Sequence, residues 1–163
     1  MLFFKNHFGM VVSTIMVAVL SLCMASIAMP VFGITVTPVS WYQNVSVSFM
    51  TLFIASVILP VKIWGDKMAS AMKLKRKTFA FGIVANIIPS LIFNTIATIV
   101  LPAVNIFYNE HIPAEAQFGI WFNAVISGWP IMFGISFVLA IIGETIALKV
   151  AFKSVHPSEL QES

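Results

Sequence analysis

Charge is nearly absent from four long stretches of this chain, residues 8–29, 45–64, 78–104 and 118–148. A helix of about 20 apolar residues crosses a hydrocarbon layer about 30 Å thick, so each stretch can span a membrane. A backbone in lipid finds no water, and it must bond its own N–H and C=O groups as a helix or a closed barrel. The alternation with period two that barrel strands need is missing. The expected fold class is therefore all-α, an integral membrane four-helix bundle. Composition agrees: 60% of residues are apolar and 9% charged, against about 45–50% and about 25% in soluble chains. Mean hydropathy is +0.99. A soluble enzyme, a disordered chain and a nucleic-acid domain are excluded on these grounds.

The formal net charge of +3 reflects topology. If four spans alternate, Lys5, Lys62, Lys67, Lys73, Lys75, Arg76, Lys77, Lys149 and Lys153 all fall on one side. The opposite loops, around 33–44 and 105–117, hold no lysine or arginine but carry Glu110 and Glu115. The positive-inside rule then predicts cytoplasmic N- and C-termini. Aromatic residues suit the two interfaces, with Trp41, Tyr42, Phe107, Tyr108 and Trp121 outside and Phe3, Phe4, Trp64 and Phe79 inside. The first apolar run exceeds the roughly 7–15 residues of a signal-peptide core and reads as a retained span. Its helix is expected to stop at Pro30, with Gly33 and Pro38 as further breakers. Cys23 stands alone and cannot form an internal disulfide.

Internal similarity suggests a duplication. Residues 23–30, ending in Met29-Pro30, align with 95–102, ending in Leu101-Pro102. Trp64-Gly65-Asp66 falls opposite Ile142-Gly143-Glu144. The expected organisation is a first hairpin over 1–72, a basic connection at 73–77, a second hairpin over 78–153 and a polar tail at 154–163. Two such hairpins are parallel repeats, related by an axis along the membrane normal.

The second hairpin resembles a known family. Phe118-x-x-Trp121-x-x-Ala124, then Trp129-Pro130-Ile131-x-Phe133, is similar to a bacterial two-helix membrane family, domain of unknown function 2798. Ser90-Leu91-Ile92-Phe93-Asn94-Thr95-Ile96 resembles its first helix. The likeness covers about half the chain; the first hairpin has Trp41 but no Trp-Pro step. It implies a small multi-pass protein of the bacterial inner membrane, often of tandem hairpins, and brings no catalytic residues.

Polar residues inside the spans carry the remaining information. Asn86, Ser90 and Asn94 recur every four residues and share one helix face, with Thr98 drifting round it. Pro89 frees a carbonyl about one turn upstream. This stripe reads either as a polar path or as interhelical glue meeting Asn123 and Ser127 on the fourth span, or Ser13 and Ser21 on the first. Glu144 and Asp66 are expected at the inner edge of the even-numbered spans, paired with Lys62, Lys67 or Lys149; Glu144 is the deeper and the better placed for a gating or proton role. His7, His111 and His156 lie outside the spans, so no metal or haem site is expected, and no cofactor. Asn44-Val45-Ser46 matches a glycosylation acceptor without functional weight.

The expected function is that of a non-enzymatic structural or accessory subunit, bound to the bilayer and to other membrane subunits or to itself, with no nucleic-acid partner. The alternative is a small oligomeric transporter or channel component whose path follows the third span.

Overall fold

The computed structural model describes residues 8–75 and 78–155. Phe3, Phe4, Lys5, His7, Arg76, Lys77 and His156, with the tail after it, lie outside the described residues. Among the described residues five helices follow one another: α1 (Phe8–Val31), α2 (Pro38–Ile58), α3 (Val61–Ala71), α4 (Phe79–Phe107) and α5 (Ala114–Val155). Among the described residues there is no strand. α1, α2, α4 and α5 are long and apolar enough to cross a membrane. The chain is an all-helical, multi-pass membrane protein.

Contacts at several depths set the register. Trp41 Nε1 donates to Ser26 Oγ at 2.9 Å, tying the start of α2 to the end of α1. Gly128 of α5 packs against Phe32 beside the end of α1, whereas Gly143 meets Val19 and Met16 lower down. Trp121 Nε1 donates to the Ile99 carbonyl and Trp129 Nε1 to Thr95 Oγ1, both at 3.0 Å, so α5 descends as α4 rises. Asn44 of α2 faces Asn105 of α4 at one end, and Gly65 of α3 faces Ala85 near the other. The spans thus alternate in direction and close a ring in the order α1, α2, α4, α5.

α4 runs on to Phe107, past the expected 104, and α5 covers Ala114–Val155, wider than the expected 118–148. Three further boundaries differ from the sequence reading, each for a local reason. α1 passes Pro30 and ends at Gly33, whose φ of 68° is open to glycine without a Cβ penalty. Ile34 N–H donates to the Met29 carbonyl at 2.8 Å and Gly33 N–H to the Pro30 carbonyl at 3.2 Å, the paired bonds of a Schellman ending. α2 begins at Pro38, ahead of the expected residue 45, because Thr37 caps it. The Ser40 N–H donates to Thr37 Oγ1 at 3.1 Å and the Thr37 N–H to Ser40 Oγ at 2.9 Å. Pro38 then sits at the first helical position, where its missing N–H is no loss. The second span was also expected to run on to Trp64. It breaks at Leu59, extended at φ −100° and ψ 124°, because Pro60 crowds the residue before it out of the helical region.

The bundle is inverted relative to a soluble protein. Ile54, Val57, Ile58, Phe118, Ile126, Ile131 and Val138 point outward, while Ser21, Asn44, Ser48, Asn86, Ser90, Asn94, Thr98 and Ser136 are buried. Aliphatic residues fill the remaining interior, with Val17, Leu20, Leu52, Phe93, Ala97, Leu101 and Ala140 in one cluster and Met24, Ala28 and Met132 in another. Exposed apolar area on this scale suits contact with lipid chains.

Candidate functional site

Helix phase brings the whole α4 stripe inside. Asn86, Ser90, Asn94 and Thr98 are each no more than 2% exposed. Their roles then divide along the helix. Asn94 Nδ2 donates to the Trp129 carbonyl at 3.2 Å, and Thr98 Oγ1 lies 3.4 Å from Asn94 Oδ1. With the Trp129–Thr95 bond, these groups lock α4 to α5. Below them, Ser90 Oγ is buried without a partner beside a void of about 10 Å³, lined also by Asn94 and Ser136. Such a space is at the lower limit for one water.

Asn86 has different company. Its Nδ2 donates to the Gly82 carbonyl at 2.9 Å and to Glu144 Oε2 at 2.5 Å. Glu144 Oε1 accepts from the Lys62 ammonium. Lys62 Nζ also stands 3.7 Å from Asp66 Oδ1, one turn further along α3. α3 thus joins α4 and α5 through one charged cluster. Glu144 is 19% exposed and Lys62 53%, so the carboxylate is held inside and the ammonium stem reaches outward. Asn86 lies about 10 Å from the start of a helix about 44 Å long, at about 1.5 Å per residue. Glu144 therefore enters one margin of the apolar layer and not its middle.

Beside this cluster lies a partly enclosed cavity of about 280 Å³. Val12, Met16 and Val17 of α1, Leu59 and Pro60 of the helix break, and Pro89 and Phe93 of α4 form its apolar wall. Ser13, Ser56, Lys62, Asn86 and Glu144 are its polar members. The break after Ile58 lies on this cavity, with Ser56, Leu59, Pro60, Val61 and Lys62 all lining it. α3 is then seated by Gly65. A Cβ there would overlap the Ala85 carbonyl oxygen and stand 3.3 Å from Pro89 Cδ. That carbonyl is the one Pro89 leaves without its helical donor.

Asn123 and Ser127 do not meet the stripe. Both are exposed, and Ser127 Oγ donates to its own helix at the Asn123 carbonyl, 2.7 Å away. The physical reason is helix phase: Ser127 lies about 200° round α5 from Trp129, the residue that faces Asn94. Ser21 likewise bonds its own helix, at the Val17 carbonyl. Glu144 takes Lys62 as its partner, while Lys67 and Lys149 are exposed. Several polar contacts were missed by sequence reasoning, among them Trp41–Ser26, Trp129–Thr95 and Asn86–Glu144, and one joins two asparagines. Asn105 Nδ2 donates to Asn44 Oδ1 at 2.7 Å, and Asn44 Nδ2 returns to Asn105 Oδ1 at 3.3 Å. The signal was two asparagines at the same end of adjacent spans, one of them set aside as a glycosylation acceptor.

Among the described residues no group of three or more His, Cys, Asp or Glu could hold a metal ion. No family model matches the chain, and no curated protein or solved structure is similar to it.

Proposed function

We propose that this chain is a non-enzymatic protein of the bacterial inner membrane that binds a small solute in its interior cavity and serves as a transporter or channel component. One observation carries the reading: a cavity of about 280 Å³ opens beside the Lys62–Glu144–Asn86 cluster at a broken helix. Ionisable groups inside a membrane bundle are costly and belong to solute or proton pathways when they line a cavity. Discontinuous helices are a common way of building such sites. The lysines of the α3 end and of the last turns of α5 support cytoplasmic termini, with the cavity mouth on that side. The likeness of the second hairpin to domain of unknown function 2798 supports the bacterial part of the proposal.

The test places Val12→Cys, on the cavity wall, in a Cys23→Ala background. A membrane-impermeant thiol reagent is then applied to right-side-out and inside-out vesicles. Reaction from both faces is expected of a transporter; reaction from one face or neither overturns that role.

A second reading, an accessory subunit, is favoured by Gly119, Asn123 and Ser127. These face outward at four-residue spacing within a span, beside Val31 and Phe32. Small and polar residues on a lipid-facing stripe suit the helix of another subunit or of a second copy. A fixed-ratio partner recovered after mild extraction, and lost on Asn123→Leu, supports it.

A further inference from the structure

We infer that the cavity takes an organic ammonium ion with an apolar body, bound at Glu144 in the place that the Lys62 ammonium occupies. The inference rests on the solute-binding reading above and names the solute's class. Two carboxylates, Asp66 and Glu144, share one ammonium, Lys62. Among the described residues no further cation pairs with either, so the cluster is one positive charge short. Asp66 Oδ1 is buried and accepts no hydrogen bond. Asn86 holds the second Glu144 oxygen and fixes the carboxylate towards the cavity. Lys62 is half exposed on a flexible stem, and it can leave for the headgroup region while Glu144 stays inside. The vacated position is a carboxylate oxygen facing an apolar wall of Val12, Met16 and Phe93. Beside that wall the cavity offers the Ser13 and Ser56 hydroxyls, the Asn86 amide and Glu144, fewer oxygens than the about six to eight of a hard divalent cation. The wall can cover an alkyl or aryl group, and the walls of small-molecule sites are mostly of this kind.

The experiment measures saturable binding to the full chain in nanodiscs, corrected with empty discs. Three probes of one chain length are compared: protonated 3-phenylpropan-1-amine, 3-phenylpropan-1-ol and 3-phenylpropanoate. The amine is expected to bind about tenfold or more tightly than the alcohol, the worth of a hydrogen bond to a charged group. Glu144→Gln should remove that preference. Lys62→Ala should tighten amine binding, because the resident competitor is gone; this variant decides the matter even if the glutamine protein fails to fold. Equal binding of amine and alcohol overturns the inference, as does preference for the carboxylate or weaker amine binding in Lys62→Ala. Failure of the parent reading looks different: amine-selective binding with Val12→Cys sealed from one face removes transport and leaves the site.

Discussion

Gly65→Ala isolates the seat of α3. The added Cβ would overlap the Ala85 carbonyl oxygen and come within 3.0 Å of its carbon and 3.3 Å of Pro89 Cδ. Two of these are backbone atoms of α4 and the third is a proline ring, so no side chain can turn away. α3 must separate from α4, and Lys62, three residues earlier on α3, is carried off with it. Overpacking of this kind costs about 1–3 kcal/mol, and alanine returns about 1 kcal/mol in helix propensity. The net loss expected is on the order of 0–2 kcal/mol, up to about 8 °C for a chain of this size, and relative to a glycine-to-alanine change in open space it is the full overpacking cost. Thermal unfolding in detergent, followed by tryptophan fluorescence, reads this directly. Gly134→Ala is the control, since a Cβ there meets nothing within 4 Å and α5 should hold or gain stability. If the two alanine variants melt together, α3 is not seated on the Ala85 carbonyl and the account of the cavity wall fails with it.

Other expectations are simpler to state. Lys73 closes α3 with a φ of 59°, and Lys73→Gly should stabilise the protein by about 1 kcal/mol, read as a higher melting point. In a double-mutant cycle, Asn44→Ala and Asn105→Ala should show a coupling of about 0.6–1.7 kcal/mol; strict additivity would deny the reciprocal bond. Asn94→Leu should destabilise the bundle by about 1 kcal/mol through loss of the Trp129 contact, while leaving ligand binding at Glu144 intact. For orientation, Asn109→Cys should label from outside and Lys75→Cys from the cytoplasm, and the opposite pattern would reverse the topology.

Span number and the burial of the α4 stripe were legible because both are periodic properties of long segments. Helix ends were less so, and the proline residues show why. Pro30 and Pro38 looked like stops and Pro60 was read through, yet Pro30 lies inside a last turn, Pro38 opens a helix and Pro60 is the one that breaks it. What separates them is the neighbour: Gly33 takes the left-handed turn after Pro30, and Thr37 with Ser40 caps the helix that Pro38 begins. Pro60 has no such cap and no side-chain bond at its helix start. The partner of Glu144 was half legible. Lys62, Lys67 and Lys149 were all expected at the same membrane edge as Glu144, and Lys149 lies only five residues from it, yet Lys62, from the helix after the break, is the one that reaches it. Asn123 and Ser127 were misplaced because a polar residue in a span does not announce which way it faces; the aromatic residues Trp121 and Trp129 claim the α4 side of α5.

The stripe on α4 therefore does two jobs, and its geometry explains the division. At Asn94 the facing element is a continuous α5, whose Trp129 carbonyl and indole meet Asn94 and Thr95, so the polar groups close on each other and leave about 10 Å³. At Asn86 the facing elements are a broken α2–α3 and a carboxylate, so the same side chain serves a cavity nearly thirty times larger. Phe93, 6% exposed, lies on both spaces and separates them. A solute entering beside Lys62 would stop at that ring, and passage further would require the Asn94–Trp129 contact to open. Under the transport reading Asn94→Leu then bears on more than stability, because passage beyond the Phe93 ring would require the tie between α4 and α5 to open. If transport is the function, the glue and the gate are the same residues.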